Sequence, residues 1–330
     1  MTNGKSLFNS FNNKNVLIIG DVMIDSYLWG NVNRISPEAP VPILNLQNRE
    51  YRLGGAANVA LNIKALGANA ILCSVLGDDK ESQIVYDLLE KESLSKAGIS
   101  VSKNRITTIK HRVIASAQHL LRIDSEIDTN INQEEENELL SNIEKLIDNI
   151  DVIIFEDYDK GNITDDVIKR TVELAKHKNI PTIVDPKKRN FLFYNGVTLF
   201  KPNLKELREG LKIEVDNKSS IDELYAAAQV LQNQLNCGKV LVTLSENGVI
   251  IVDKNKTTHH KAHKREIADV SGAGDTVVSV AALCLANQVD DSLIASLSNL
   301  SGGIVCEHVG VVPINKNVLL DEAIKLGILE

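Results

Sequence analysis

The stretch Asp269-Val270-Ser271-Gly272-Ala273-Gly274-Asp275-Thr276 decides how the rest of this 330-residue chain is read. It follows a polar, basic segment, His259 to Glu266, and runs into the small-residue helix Val277-Val278-Ser279-Val280-Ala281-Ala282-Leu283. Glycines on both sides of Ala273 let backbone N–H groups turn toward one point. A helix beginning there adds its unpaired first-turn amides and its positive dipole end. The result is an anion hole suited to a phosphoryl group, lined by Gly272, Ala273 and Gly274. Asp275 sits in the same turn. A carboxylate beside a phosphate is repelled unless it has a task, such as accepting the proton of an attacking hydroxyl. The alternative is an ordinary glycine turn with Asp275 as a helix cap.

Working outward, Val16-Leu17-Ile18-Ile19-Gly20 is a continuous apolar run, as in a parallel strand buried on both faces. Asp21 and Asp25 follow at its C-terminal end, the edge where open α/β sheets bind ligands. Either is a substrate contact or a turn cap. Ser26 to Tyr51 contains Pro37, Pro40 and Pro42 and strand-like pieces without a helical pattern, an excursion from the main sheet. Gly54-Gly55-Ala56-Ala57-Asn58 then opens a helix running to Leu66 and closed by Gly67. The glycine pair permits close approach by a ligand, and Asn58 offers an amide to the same space. Close helix–sheet packing is the alternative. From Arg105 to Asp124, residues Thr107, Thr108, Lys110, Arg112, Gln118, Arg122 and Asp124 alternate with apolar ones, giving a strand pair with one polar face. The two excursions, at about 26–51 and 105–124, predict a small β-strand lid.

Ala70 to Leu76 reads as a second buried strand, and Lys80 to Leu94 and Gln133 to Ile150 as helices. The run Glu134-Glu135-Glu136 reads as a solvated first turn. Strands are expected at Val152 to Phe155, Pro181 to Val184, Val240 to Leu244 and Val249 to Val252. Helices are expected at Thr164 to Lys178, Asn203 to Gly210 and Ile221 to Leu235, and from Gly274 and Ser292. Such β-α-β repetition implies an α/β fold, a doubly wound, mainly parallel sheet with helices on both faces. No linker or repeat divides the chain, so residues 1–330 read as a single domain. Met1 to Asn15 reads as a short helix or a loose tail. Polar residues gather after the strands: Glu156, Asp157, Tyr158 and Lys160; Asp185, Lys187, Lys188 and Arg189; Lys201 to Glu206; and Thr243 to Gly248. All lie on one sheet edge, which argues for a single site.

A net charge of −8 speaks against a nucleic-acid surface. No run reaches the roughly 18 apolar residues that a membrane span needs. Cys73, Cys237, Cys284 and Cys306 are scattered in apolar sequence and read as reduced core residues of a cytoplasmic protein. His259-His260-x-x-His263 has no shared strand face and is not read as a metal site. No G-x-x-x-x-G-K-[ST] occurs, and the first strand lacks G-x-G-x-x-G, so P-loop and dinucleotide folds are set aside.

Together these residues resemble the PfkB-type sugar kinases of the ribokinase superfamily, from about Val16 to Pro313. Gly54-Gly55-x-x-Asn58 is similar to the family's N-terminal signature and Asp269-x-x-Gly272-Ala273-Gly274-Asp275 to its C-terminal one. Val270-Ser271 stands where Thr-x is commonest. Asn203-x-x-Glu206 is similar to the magnesium and phosphate motif. A narrower resemblance is to the heptose 7-phosphate kinases. It is carried by Gly20 to Asp25, Arg34-Ile35-Ser36-Pro37-Glu38-Ala39-Pro40-Val41-Pro42, Gly54 to Ala60, Lys110-x-Arg112 and Gln118-x-Leu120-x-Arg122-x-Asp124. Asp157-Tyr158-x-Lys160-Gly161 and Asp185-Pro186-Lys187 extend it.

The resemblance implies ATP-dependent phosphorylation of the anomeric 1-hydroxyl of D-glycero-β-D-manno-heptose 7-phosphate, a step toward ADP-heptose and lipopolysaccharide. Bifunctional members carry a second, nucleotidyl-transferring domain; with the chain ending at Glu330, only the kinase step is implied. Asp275 is then the base, with Gly272, Ala273 and Gly274 as the anion hole. Mg²⁺ is held through water by Asn203 and Glu206. Thr243, Ser245, Gly248, Asn299 and Gly303 line the ATP, and a monovalent cation such as K⁺ is allowed. Asp21, Asp25, Gly54, Gly55, Asn58 and Asp157 meet the sugar. Lys110, Arg112, Arg122, Lys160 and Lys187 are the candidates for its phosphate, Lys160 and Lys187 foremost. Kinases for fructose phosphate, ribose or a nucleoside, and a sugar-binding protein on an inactive kinase fold, are the rival readings. The polar lid edges predict a homodimer in which lids pair across a two-fold axis.

Overall fold

The apolar run after Asn15 forms strand β1 (Asn15–Gly20), and its alternate residues enter two separate cores. Val16 and Ile18 join one, Leu17 and Ile19 the other. A strand covered on both faces is apolar at every position, hence the unbroken run. The computed structural model describes residues 3–115, 118–254 and 256–330. Ahead of β1 the chain forms helix α1 (Gly4–Phe11), capped by Asn3 and docked through Leu7, Phe8 and Phe11. The N-terminal segment is thus a packed helix.

After β1 come β2 (Val22–Ile35), β3 (Pro42–Gly55), α2 (Ala56–Ala65), β4 (Asn69–Gly77), α3 (Lys80–Lys91), β5 (Ser95–Ser102), β6 (Thr108–Ala115) and β7 (Gln118–Ser125). Then follow α4 (Gln133–Leu146), β8 (Val152–Glu156), α5 (Asp165–His177), β9 (Thr182–Asp185), β10 (Leu199–Phe200), α6 (Leu204–Leu211) and α7 (Ile221–Leu235). The chain closes with β11 (Lys239–Thr243), β12 (Val249–Val252), β13 (Thr257–His260), α8 (Ala273–Ala286), α9 (Asp291–Val305) and α10 (Lys316–Lys325).

The main sheet has the order β13-β12-β11-β10-β9-β8-β1-β4-β5. Only the β11–β12 and β12–β13 pairs are antiparallel. Helices α1, α2, α3, α8, α9 and α10 cover the face of Val16 and Ile18, and α4 to α7 cover the other. This is the α/β architecture that the strand–helix alternation predicts. Strand order reverses at β1, flanked by β4 on one side and β8 on the other. Ligands of open α/β sheets bind at such a reversal, beyond the strand C-termini. Gly20-Asp21, Glu156-Asp157 and Asp185 all end there.

The second sheet has the order β3-β2-β6-β7. Its strands are the two expected excursions, but the first is longer than residues 26–51: pairing runs from Val22↔Gly55 to Ile35↔Pro42. Ile24 and Leu53 at its root are buried, so that part reads as core in the sequence. Four elements have no counterpart in the sequence reading: β5, β10, β13 and α10. β5 and β13 are edge strands rich in Ser, Thr, His and Lys, and β10 has only two residues.

The acidic run at the start of α4 is not a solvated turn. Glu135 closes a capping box with Asn132 and accepts the Ser102 hydroxyl, and Glu136 accepts the Thr164 hydroxyl. Only Glu134 is exposed. The run clamps α4 between β5 and α5, because buried carboxylates need donors and these hydroxyls supply them. Glu135→Ala should therefore destabilise the fold by about 1–3 kcal/mol, read as a lower urea midpoint. Turnover should not change.

Candidate active site

Helix α8 starts with Gly272 as its N-cap, in the left-handed region at φ 79°, and no side chain caps it. Among the described residues, the amides of Gly272, Gly274 and Asp275 donate no hydrogen bond. The Ala273 amide closes the turn onto the Val270 carbonyl at 3.3 Å. The amides left free at this turn are therefore those of Gly272, Gly274 and Asp275, while that of Ala273 is engaged within the turn. A Cβ on Gly274 would stand 3.3 Å from Asp185 Oδ2 and 3.9 Å from Lys201 Nζ, so glycine keeps this approach clear.

Asp275 is buried and does not cap its own helix. Its Oδ2 accepts Asn58 Nδ2 at 2.6 Å and its Oδ1 accepts the Tyr158 hydroxyl at 2.9 Å. Burial pushes its pKa up; the Asn58 bond pulls it down, and the Asp185 carboxylate raises it again. A raised carboxylate is a better proton acceptor near neutrality than an ordinary one. Asn58 keeps its Oδ1 buried and unpartnered beside this pair. The backbone carbonyl of Asn58 accepts Asn62 Nδ2, and Asn62 Oδ1 in turn accepts the Thr276 hydroxyl and the Ile314 amide. Asn62 thus ties α2 to α8. The i, i+4 spacing of the two asparagines is the signal that sequence reading passed over.

Glu156, Asp185 and Asp275 each bring an oxygen within 4.8 Å of the others, all three buried. Lys201 Nζ lies 2.9 Å from Asp185 Oδ2. Burial first, then Asp185, push the Glu156 carboxyl well above its usual range, and its Oε2 has no partner. Asn203 and Glu206 instead form a reciprocal capping box on α6. Both Glu206 oxygens are already occupied, by the Asn203 amide at 2.9 Å and Lys187 Nζ at 3.0 Å. The acidic trio is a second group close enough to hold a metal ion, beside the expected Asn203 and Glu206.

The Lys187 ammonium pairs with Glu206 and lies 5.1 Å from the Tyr158 ring centre, on the Asp275 side of the site. Burial works to lower its pKa, but Asp185 and Glu206 outweigh it and hold the charge on. Asp21 is bound up in the fold. Its oxygens accept the Tyr158, Lys160 and Asn162 amides and Asn162 Nδ2 at 2.8–3.2 Å. Asp157 accepts the Asp159 amide, Asn190 Nδ2 and the Tyr194 hydroxyl; burial, then Asp21, push its pKa up to about 6. Both aspartates build the loop that carries Tyr158. Gly55 has φ 58°, and a Cβ there would strike the Asp21 carbonyl. A Cβ on Gly54 would stand 2.5 Å from Asp25 Oδ2. Asp25 is buried and paired with Arg112.

A description of the pfkB family of carbohydrate kinases matches residues 13–317. The chain belongs to that family. It is 39% identical over 296 residues to the bifunctional protein HldE of Aliarcobacter butzleri strain RM4018, covering 90% of this chain and 61% of that one. To the HldE of Helicobacter pylori strain J99 it is 35% identical over 297 residues, covering 90% and 64%. This kinase thus spans less than two thirds of the length of those relatives. Among solved structures, phosphofructokinase-2 from Escherichia coli in complex with potassium superposes with a TM-score of 0.79 at 19% identity, covering 95% and 99% of the two chains. Arabidopsis thaliana ribokinase complexed with ribose and ATP gives 0.70 at 14%, covering 93% and 98%. These likenesses show the shared fold.

The expected nucleotide residues of the kinase form one connected edge. Thr243 bridges to Asn203, and its amide donates to the Pro202 carbonyl at 3.1 Å. Ser245 and Gly248, both at positive φ, make the turn between β11 and β12. Asn299 Nδ2 holds the Lys261 carbonyl at 2.9 Å. Gly303 leaves room for Arg265, which is paired with Glu307 and Glu322. His259 and His260 bond the Asn247 carbonyl and Ser292, on different neighbours. Glu156, Lys201 and Tyr158 lay on the expected ligand edge but had no assigned role; burial against Asp275 and Asp185 gives them one.

Asp275→Asn should lower kcat by at least ~10²-fold with binding of both substrates retained. Tyr158→Phe removes a donor that favours the Asp275 carboxylate. The Asp275 pKa should then rise further, and the acid limb of kcat against pH should move to higher pH. An unmoved acid limb would remove Tyr158 from control of the base.

Proposed function

We propose that this carbohydrate kinase transfers the γ-phosphoryl group of ATP to the anomeric 1-hydroxyl of D-glycero-β-D-manno-heptose 7-phosphate, giving the 1,7-bisphosphate for ADP-heptose and lipopolysaccharide synthesis. The observation that carries the phosphoryl transfer is Asp275, buried beside three free amides. The unpartnered Asn58 Oδ1 next to it supports hydroxyl binding. The choice of a heptose phosphate rests on 35–39% identity to HldE proteins over about 90% of the chain.

Asp275 takes the hydroxyl proton as the oxygen attacks. The Gly272, Gly274 and Asp275 amides, with Lys201, stabilise charge on the transferred group. Asn58 Oδ1 and Asp25 accept sugar hydroxyls. Thr243, Ser245, Gly248, Asn299 and Gly303 border the nucleotide. A family kinase works with ATP and a divalent metal. Mg²⁺ fits Glu156 and Asp185, since the orphaned Glu156 oxygen and its raised pKa both signal a missing cation; there it would neutralise phosphate charge. The lid excludes water, which would otherwise accept the phosphoryl group. Among the described residues no helix is long and apolar enough to cross a membrane, and the reaction belongs where ATP is, in the cytoplasm.

The protein acts as a homodimer through its lids. Leu46, Leu121 and Ile123 are each about half exposed, as are Ile35 and Val41 near the hairpin tip. Leu121 and Ile123 stand opposite Val113 and His111, on the face turned away from Arg112. So much apolar surface on one small sheet calls for a cover, and a second lid supplies it with matching edges.

ADP release measured over a sugar panel tests the substrate: heptose 7-phosphate should exceed fructose 6-phosphate, ribose and unphosphorylated heptose in kcat/KM by at least ~10²-fold. A better turnover of any of these three would reject it. Light scattering at micromolar protein should give twice the chain mass, and Leu121→Glu with Ile123→Glu should halve it. A wild-type monomer with full activity would reject the lid pairing.

A further inference from the structure

The cations favoured by the sequence are already engaged. Lys110 Nζ pairs with Asp124 at 3.2 Å and Glu126 at 2.7 Å, and Lys160 Nζ with Glu126 at 2.7 Å. Lys187 serves Glu206. Arg122 pairs with Asp124 and has 60% of its side chain exposed. Each of these lysines is held by at least one carboxylate, which fixes its ammonium group at the lid root or beside Glu206.

A cavity of about 290 Å³ lies between the lid and the segment around Gly310, bordered by Tyr27, Trp29, Arg52, Arg112 and His119. The guanidinium carbons of Arg52 and Arg112 sit 4.7 and 5.4 Å from the centre of the same Tyr27 ring. Arg52 uses Nε on Glu50 at 2.6 Å and Nη1 on the Val311 carbonyl at 3.3 Å. Arg112 uses Nη1 on Asp25 and, weakly, the Lys110 carbonyl. Among the described residues the Nη2 of each donates no hydrogen bond. A guanidinium carries five donors in a fixed fork, so each keeps an unused edge suited to phosphate oxygens. The buried Tyr27 hydroxyl lies by the Val311 backbone but makes no hydrogen bond of ordinary geometry.

Two acids need accounting for. Glu50 has 39% of its side chain exposed, so its pair with Arg52 is solvated and exchangeable. Asp269 also borders the cavity, but its oxygens accept the Ser271 amide and hydroxyl and the Gly310 amide at 2.9–3.0 Å. Those bonds hold the cavity wall and screen its charge.

We propose that Arg52 and Arg112, with His119, bind the phosphate that the sugar already carries, in this cavity, whose wall also includes Ser271. This rests on the sugar-phosphate kinase reading above. Arg112 bonds Asp25, so hydroxyl recognition and phosphate recognition meet in one side chain.

Trp29 is the chain's single tryptophan and borders the cavity, so its fluorescence reports occupancy without turnover. In the wild type, heptose 7-phosphate should change the emission saturably, and inorganic phosphate should compete. Arg52→Gln should raise KM for heptose 7-phosphate about ten- to hundredfold and weaken the fluorescence response equally. KM for ATP and for unphosphorylated heptose should stay within about threefold, which a merely structural defect would not allow. Arg52→Lys, keeping charge without the fork, should fall between. If Arg52→Gln leaves KM for heptose 7-phosphate unchanged while Lys160→Met raises it, the cavity assignment is overturned. If the wild type ignores heptose 7-phosphate yet Trp29 still answers inorganic phosphate in an Arg52-dependent way, the cavity stands and the choice of heptose falls.

Discussion

The hydrogen bond from Asn58 to Asp275 spans 217 residues of sequence and joins the first turns of α2 and α8. With the Tyr158 hydroxyl on the other oxygen, it fixes a carboxylate where three elements converge. A buried carboxylate is costly unless it is bonded, and each bond also sets its affinity for a proton. The site depends on this balance. Asp275 has enough donors to be tolerated and too few to become an inert anion. Asn62, Thr276 and the Ile314 amide brace the same junction from behind.

Around that carboxylate the charges are arranged in pairs that differ in purpose. Lys201 meets Asp185 close to Gly274 at the start of α8, and Lys187 meets Glu206. Glu156 alone stays without a cation or a donor on its Oε2. Beyond burial, the Asp185 carboxylate helps to raise the pKa of both Glu156 and Asp275, and such a cluster attracts a divalent ion. Asp21 and Asp157, by contrast, are satisfied by amides and side chains of one loop and are positioning groups for Tyr158.

The lid repeats this logic on a smaller scale. Glu126 bridges Lys110 on the lid and Lys160 on the main domain's loop, so the lid root is held by charge as well as by the buried Ile24 and Leu53. The arginines stack on Tyr27 instead, which leaves part of each fork unused. Lysine suits the hinge because one point charge can serve two carboxylates. Arginine suits recognition because its donors are spread over a plane.

The sequence by itself determined the strand–helix alternation, the buried strand at Val16 to Ile19, the glycine turn before α8 and the carboxylate within it. These are local: periodicity and glycine placement act over a few residues, and a phosphate hole needs only one turn of backbone. It also assigned the chain to a kinase family through two such turns. Tertiary structure alone decided which acids work and which merely brace. It paired the Ala273 amide within its own turn, set Lys187 against Glu206, gave Glu135 and Glu136 buried partners, and brought Glu156, Asp185 and Asp275 together. The physical reason is that a charged side chain takes its role from whatever lies within about 3 Å of it. For Asp21, Asp25, Lys160 and Asp275 those neighbours come from 34 to 217 residues away, a separation across which sequence pattern carries no register.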